Sequence, residues 1–209
     1  TDDCNVWFRG LLPGSTTQMN TLSAMNPRVN IPSSCNAYYT NFTINFYNQS
    51  STCNMTAYET VVQHEWGHGA DHAFGGLSQT DGLSEGWGDT LCTFRSAQPI
   101  VGPNFRKNGG FVRTALNTKT YPAGGGVHQQ GETWMGFNWD VRTNLIATHG
   151  SSTGVTIAEK IVIASIAADA KNQPNAVREV FILDDDDGNL NNGTPNYTDL
   201  EKAALKRKL

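Results

Sequence analysis

The sequence predicts a mostly helical α+β domain with a small strand segment near its N-terminal end. Three observations carry that prediction. The 209 residues match the length of one domain, taken as residues 1–209, and a chain this long buries roughly 70% of its unfolded surface. One stretch, residues 37–47 (AYYTNFTINFY), is dense in aromatic and β-branched residues that partly alternate, which reads as a strand. From residue 56 onward, apolar-periodic segments end at glycines, and three of them start with a hydroxyl followed three residues later by a carboxylate, the spacing of a capping box. Residues 1–55 therefore read as the strand-rich part and 56–209 as the helical part.

Residues 1–35 read as irregular and rich in turn formers. After the strand and a turn-rich stretch, Thr56 and Glu59 are expected to cap a helix that runs to about Phe74 and stops at Gly75-Gly76. A second helix is expected over about 83–96, and a long loop over 98–126, which ends in Gly124-Gly125-Gly126. A long helix follows over about 128–148. Thr156 and Glu159 then open an apolar helix to about Ala170, and a short helix spans about Asn175 to Leu183. Thr198 and Glu201 cap the last helix, whose final turn (Lys206, Arg207, Lys208) suits the negative end of the helix dipole.

Charge and composition remove several function classes. With 15 Lys+Arg against 19 Asp+Glu, the formal charge is −4, so a nucleic-acid partner, which needs a positive field, is not expected. Apolar runs stay well short of 18 residues, so no membrane span is expected; the longest, Ile161 to Ala168, fits a buried helix. Charged residues are only 16% of the chain, and Asn, Gly, Ser and Thr take their place. The chain begins at Thr1 without a charged-then-apolar leader, which reads as a mature form or an excised domain. Cys4, Cys35, Cys53 and Cys92 contain no Cys-x-x-Cys pair. An even count with no metal spacing reads as two disulfides in an oxidising compartment, with Cys35–Cys53 and Cys4–Cys92 as the expected pairing.

His64-Glu65-Trp66-Gly67-His68 carries the chemistry. Two His four apart on a helix share one face, one turn apart, and can reach a single zinc ion at about 2.0–2.1 Å. Glu65 lies beside them, placed to hold and deprotonate a water. A zinc of this kind needs a third protein ligand. A third His in the pattern H-E-x-x-H-x-x-G-x-x-H is excluded, because Asp71 and Phe74 stand at the Gly and His positions. His72 continues the row, but three ligands along one straight helix span too far for one tetrahedral ion. Ser84-Glu85-Gly86-Trp87-Gly88-Asp89 supplies the alternative: Glu85 as ligand, with Asp89 one turn on accepting the far N–H of His64.

In these residues the chain resembles the gluzincin metallopeptidases, the thermolysin type, and its wording HEWGHG followed by SEGWGD is similar to the fungalysin branch. The resemblance implies a zincin-like catalytic domain. It also implies that Gly126-Val127-His128 corresponds to the segment whose His stabilises the tetrahedral intermediate, which makes His128 catalytic alongside Glu65. It further implies that Asn36, Ala37 and Tyr38, at the start of the strand, pair with substrate backbone. The chain departs from the pattern in having no Tyr between His68 and Glu85. Arg106 and Arg113 are both candidates for the arginine that holds the substrate carbonyl.

A second metal site is read from Asp184, Asp185, Asp186, Asp187 and Asn189. Carboxylates crowded at a helix C-terminus oppose its dipole and repel one another, and oxygen-only ligands favour calcium. The expectation is thus a secreted, monomeric zinc endopeptidase that hydrolyses internal peptide bonds of proteins or peptides. It is expected to bind one catalytic Zn2+ and a candidate Ca2+, and a propeptide or flanking domains are left open outside the chain. A zinc exopeptidase and a non-catalytic zinc-stabilised binding or adhesion module are the alternatives. The retained Glu65 argues against the module, because a structural zinc site needs no base.

Overall fold

The computed structural model describes residues 1–209 and is a mostly helical α+β protein with short strands. The chain divides into two compact units, Thr1–Leu77 with Trp87–Ala115, and Ser78–Gly86 with Leu116–Leu209.

In the first unit, residues 1–35 are not irregular as expected. They form helices α1 (Asp2–Leu11) and α2 (Thr16–Ser23) and strand β1 (Asn26–Ile31). Helix α1 has Asp2 and Asp3 in its first turn and Arg9 in its last, the order the dipole favours, and buries Cys4 and Phe8 one turn apart. Helix α2 buries Met19 and Leu22. Each helix is short and commits only two or three residues to the core, and β1 buries none, too little for a period to stand out.

The stretch read as one strand is a hairpin of β2 (Ala37–Thr40) and β3 (Thr43–Tyr47). Its two-residue turn, Asn41-Phe42, takes positive φ at both positions (41° and 58°), the geometry that matches the twist of paired strands. A phenylalanine is an unusual occupant of that conformation, so the turn carries none of the usual glycine signal. The sheet order is β1-β3-β2, with β1 parallel and β2 antiparallel to β3, so β2 lies at an edge. The Cys35–Cys53 disulfide closes the ends of this segment. Cys4 and Cys92 are buried free thiols, so the second expected bridge is not formed.

Helix α3 (Glu59–Phe74) ends at Gly75 as expected, but its expected capping box is absent. Its N-cap is Tyr58. The Thr56 hydroxyl faces the carbonyls of Asn36 (3.0 Å) and Tyr47 (3.2 Å) instead, tying the helix entry to the hairpin. Helix α4 (Leu83–Ser96) spans the expected residues, and the loop after it contains a two-residue ladder, β4 (Ile100–Val101) with β5 (Arg113–Thr114).

In the second unit, α5 (Val127–His149) ends at Gly150. Helix α6 (Ser151–Ala158) begins earlier than the Thr156–Glu159 box predicted, since the Thr156 hydroxyl donates back to the Ser152 carbonyl. It runs on through a π turn and a 3-10 turn to Ala168. This 18-residue run is long and apolar enough by composition to cross a membrane. Its Ile161, Val162, Ile163 and Ile166 are nevertheless buried, and the run packs against α5 and α7. Helix α7 (Gln173–Asp184) is capped by the Asn172 side chain. Helix α8 (Tyr197–Arg207) is preceded by Asn196 as N-cap, and Thr198 does not cap it. In its last turn Arg207 is not a solvated base answering a dipole. It is buried, bonded to Asp140, to Asn117 and to the Lys119 carbonyl, in space left by Gly136.

Candidate metal centre

Helix α3 delivers His64 and His68 from one face, their rings edge to face with centroids 4.8 Å apart. Glu85, in the first turn of α4, offers a carboxylate oxygen. One ligating atom from each of the three lies within 4.8 Å of the others, and all three residues are buried. Glu65, the next residue along α3 from His64, is also buried, at 5% exposure.

Glycines let the backbone of α4 come close to α3. A Cβ on Gly67 would stand 2.8 Å from the Gly88 Cα, and one on Gly88 would stand 2.8 Å from both Cε1 and Nδ1 of His64. Real side chains do not tolerate such contacts, so the small residues in the two Trp-Gly pairs are required by the crossing. These glycines were visible in HEWGHG and SEGWGD, but their role follows only from the helix crossing.

Behind His64, its Nδ1 is 2.8 Å from Asp89 Oδ1. Asp89 is fully buried and is held by the Arg113 guanidinium through two bonds, Nε to Oδ2 (2.6 Å) and Nη2 to Oδ1 (2.8 Å). Burial alone would raise the Asp89 carboxyl, but Arg113 first and His64 second hold it below the usual carboxylate range. A permanent carboxylate at His64 Nδ1 favours the tautomer in which Nε2 is the ligating nitrogen. Of the two arginine candidates, Arg113 is thus joined to the ligand set, whereas Arg106 pairs through its backbone with Cys53.

His128, near the start of α5, places Nε2 3.2 Å from Glu85 Oε2, with its side chain 55% exposed. A shared glycine contact supports that position: a Cβ on Gly131 would be 2.6 Å from the Gly86 nitrogen and 3.0 Å from Glu85 Cβ. Asn36, Ala37 and Tyr38 lie at and before the edge strand β2, whose Tyr39 ring sits 6.2 Å from the His68 ring. The Tyr39 hydroxyl is directed to His72 Nδ1 at 2.7 Å. Burial pushes its pKa up, so it stays protonated. The Tyr39–His72 pair was not anticipated, although the continued His64, His68, His72 row was its one visible sign.

The acidic loop behaves differently from its expectation. Asp184 is buried and already used: its oxygens accept from the Thr194 hydroxyl (2.6 Å), the Asn196 backbone N–H (2.8 Å) and the Asn196 amide (2.6 Å). Asp187 accepts from the Asn189 N–H and the Asn192 amide, and the Asn189 side chain caps the turn that follows it. Asp185, Asp186 and Asp187 bring one oxygen each within 4.8 Å of one another. The repulsion that motivated calcium is thus relieved in part by hydrogen bonds within the loop.

Two buried imidazoles and a buried carboxylate, with a carboxylate fixing one imidazole from behind, form a donor set that suits zinc. The sequence is 30% identical over 190 aligned positions to the extracellular metalloproteinase MEP of Fusarium vanettenii. That alignment covers 71% of this chain and 30% of the relative, so the chain spans less than a third of the relative's length. No family model matches the sequence.

Proposed function

We propose that the chain carries the zinc-dependent active site of a secreted endopeptidase of gluzincin type. The observation that carries this reading is the buried acid Glu65 adjoining a His64–His68–Glu85 donor set. A site that only stabilised the fold would have no use for that acid. The extracellular metalloproteinase relative supports the same reading, and with the Cys35–Cys53 disulfide it supports secretion.

His64, His68 and Glu85 would hold the ion, and Asp89 with Arg113 would fix the His64 ring. Zinc at this position supplies Lewis-acid polarisation of the scissile carbonyl and a lowered pKa for water. Glu65 takes a proton from the attacking water and delivers it to the leaving amine. His128, exposed beside Glu85, donates to the developing oxyanion. Asn36, Ala37 and Tyr38 offer backbone groups to an extended substrate. Arg113, whose guanidinium is bonded to Asp89 behind His64, acts as a positioning residue rather than as a contact for the substrate carbonyl.

The test is cleavage of an internally quenched peptide blocked at both ends, with and without a zinc chelator. Chelator-sensitive cleavage is expected, and an exopeptidase would leave such a peptide intact. Glu65→Gln should retain zinc and lose turnover by at least about 100-fold, the lower range for a general base. A fully active Glu65→Gln protein would remove the proposed mechanism.

A further inference from the structure

The edge strand β2 and helix α3 are joined by a specific polar and aromatic contact. The Tyr39 hydroxyl lies 2.7 Å from His72 Nδ1, and the Phe42 backbone N–H donates to that same hydroxyl oxygen at 3.0 Å. The hydroxyl oxygen is thereby held between two partners, the Phe42 N–H and the His72 ring. Phe42 lies flat on the His72 ring, with centroids 4.6 Å apart and 6° between planes. Phe42 holds φ at 58°, a conformation uncommon for a bulky side chain, which persists only where the surroundings impose it. The hydroxyl points to the last turn of α3, away from Glu65.

An edge strand that accepts a peptide must hold its own register, because a slip of one residue exchanges the two faces. We propose that Tyr39, Phe42 and His72 act as a positioning clamp, which holds β2 against α3 so that a peptide pairing with β2 is presented to His64, His68 and Glu65 in one register. The clamp rests on the reading above that β2 takes substrate by strand addition.

Tyr39→Phe keeps the ring beside His68 and removes the hydroxyl; His72→Phe keeps the stack on Phe42 and removes the ring nitrogen that pairs with the hydroxyl. Both, and the double variant, are assayed in the full chain on two blocked peptides, one long enough to pair along β2 and one of about four residues. Loss of one hydrogen bond corresponds to a rise in KM for the long peptide of about three- to tenfold. The short-peptide KM, kcat on both peptides and bound zinc should stay within about twofold, and the double variant should be no worse than the weaker single one. An unchanged long-peptide KM, an equal loss on both peptides or a loss of zinc would each overturn the clamp. Binding of the long peptide to the Glu65→Gln protein, with and without Tyr39→Phe, separates the two readings. If the wild type cleaves neither peptide but Tyr39→Phe still weakens binding, the clamp stands and the peptidase reading falls. If the long peptide binds no form of the protein, both fall.

Discussion

Gly88 shows how a residue without a side chain can control a ligand. Alanine there favours the helical state of α4 by up to about 1 kcal/mol. Its Cβ, however, would stand 2.8 Å from two atoms of the His64 ring. The ring must tilt, and its bond to Asp89 must lengthen. Gly88→Ala is therefore expected to weaken zinc binding by at least about tenfold, as other losses of ligand support do, with helix content unchanged. Zinc titration against a competing chelator checks this; unchanged affinity in a more stable protein would mean the ring has room. Asp89 adds a pH dependence. Its folded pKa is depressed, so the stability it contributes is complete above the ordinary Asp value of about 3.9 and is lost as pH falls from there through the folded value. Melting curves of wild type and Asp89→Asn should differ most above about pH 4 and converge below it. A gap that widens in acid would reverse the sign of the argument.

Helices were legible where a long apolar period met a glycine stop, which is why α3 and α5 end at their expected residues, Gly75 and Gly150; α4 spans its expected residues without such a stop. The starts read from capping boxes at Thr56 and Thr156 were misplaced, because a hydroxyl at capping spacing has other uses: Thr56 binds the hairpin and Thr156 binds its own helix. The site was legible for a related reason. Two His four residues apart fix one helix face without tertiary knowledge, and Glu85 with Asp89 was legible as a second motif, whereas Arg113, 24 residues beyond Asp89, is joined to them only by folding. The approach of α5 to Gly82–Gly86 was likewise hidden. It makes a prediction about these elements: Gly131→Ala puts a Cβ 2.6 Å from the Gly86 nitrogen and 2.7 Å from the Gly82 carbonyl. Backbone cannot yield as a flexible side chain can, so α5 must move and carry His128 from Glu85. A destabilisation of about 1–3 kcal/mol is expected, in the range for overpacking. Gly10→Ala, on α1 with nothing within 4 Å of the new Cβ, is the control and should be neutral or slightly stabilising. Equal effects at the two positions would show that the loss comes from glycine itself rather than the crossing.

Charge over the whole molecule reads differently once burial is known. The formal −4 counts 19 acids and 15 bases. Glu65, Asp71, Glu85, Asp89 and Asp184 are buried, and among the bases Arg207 is buried. That leaves 14 acids and 14 bases outside, so the accessible charge is balanced with His neutral. The apparent acidity belongs to the interior, chiefly around the metal ligands and the anchored end of the acidic loop. A net charge of only −4 spread over 209 residues exerts little long-range steering, and added salt has little to screen. For an acidic and a basic blocked peptide of equal length, kcat/KM should therefore change by less than about twofold between roughly 0.05 and 0.5 M salt, a span over which steered associations fall steeply. The sign of a failure is informative. If only the basic peptide slows as salt is added, the exposed carboxylates of Asp186 and Asp187 act on substrate at a distance, and the balance of charges hides a local field. If only the acidic peptide slows, the exposed bases do so instead.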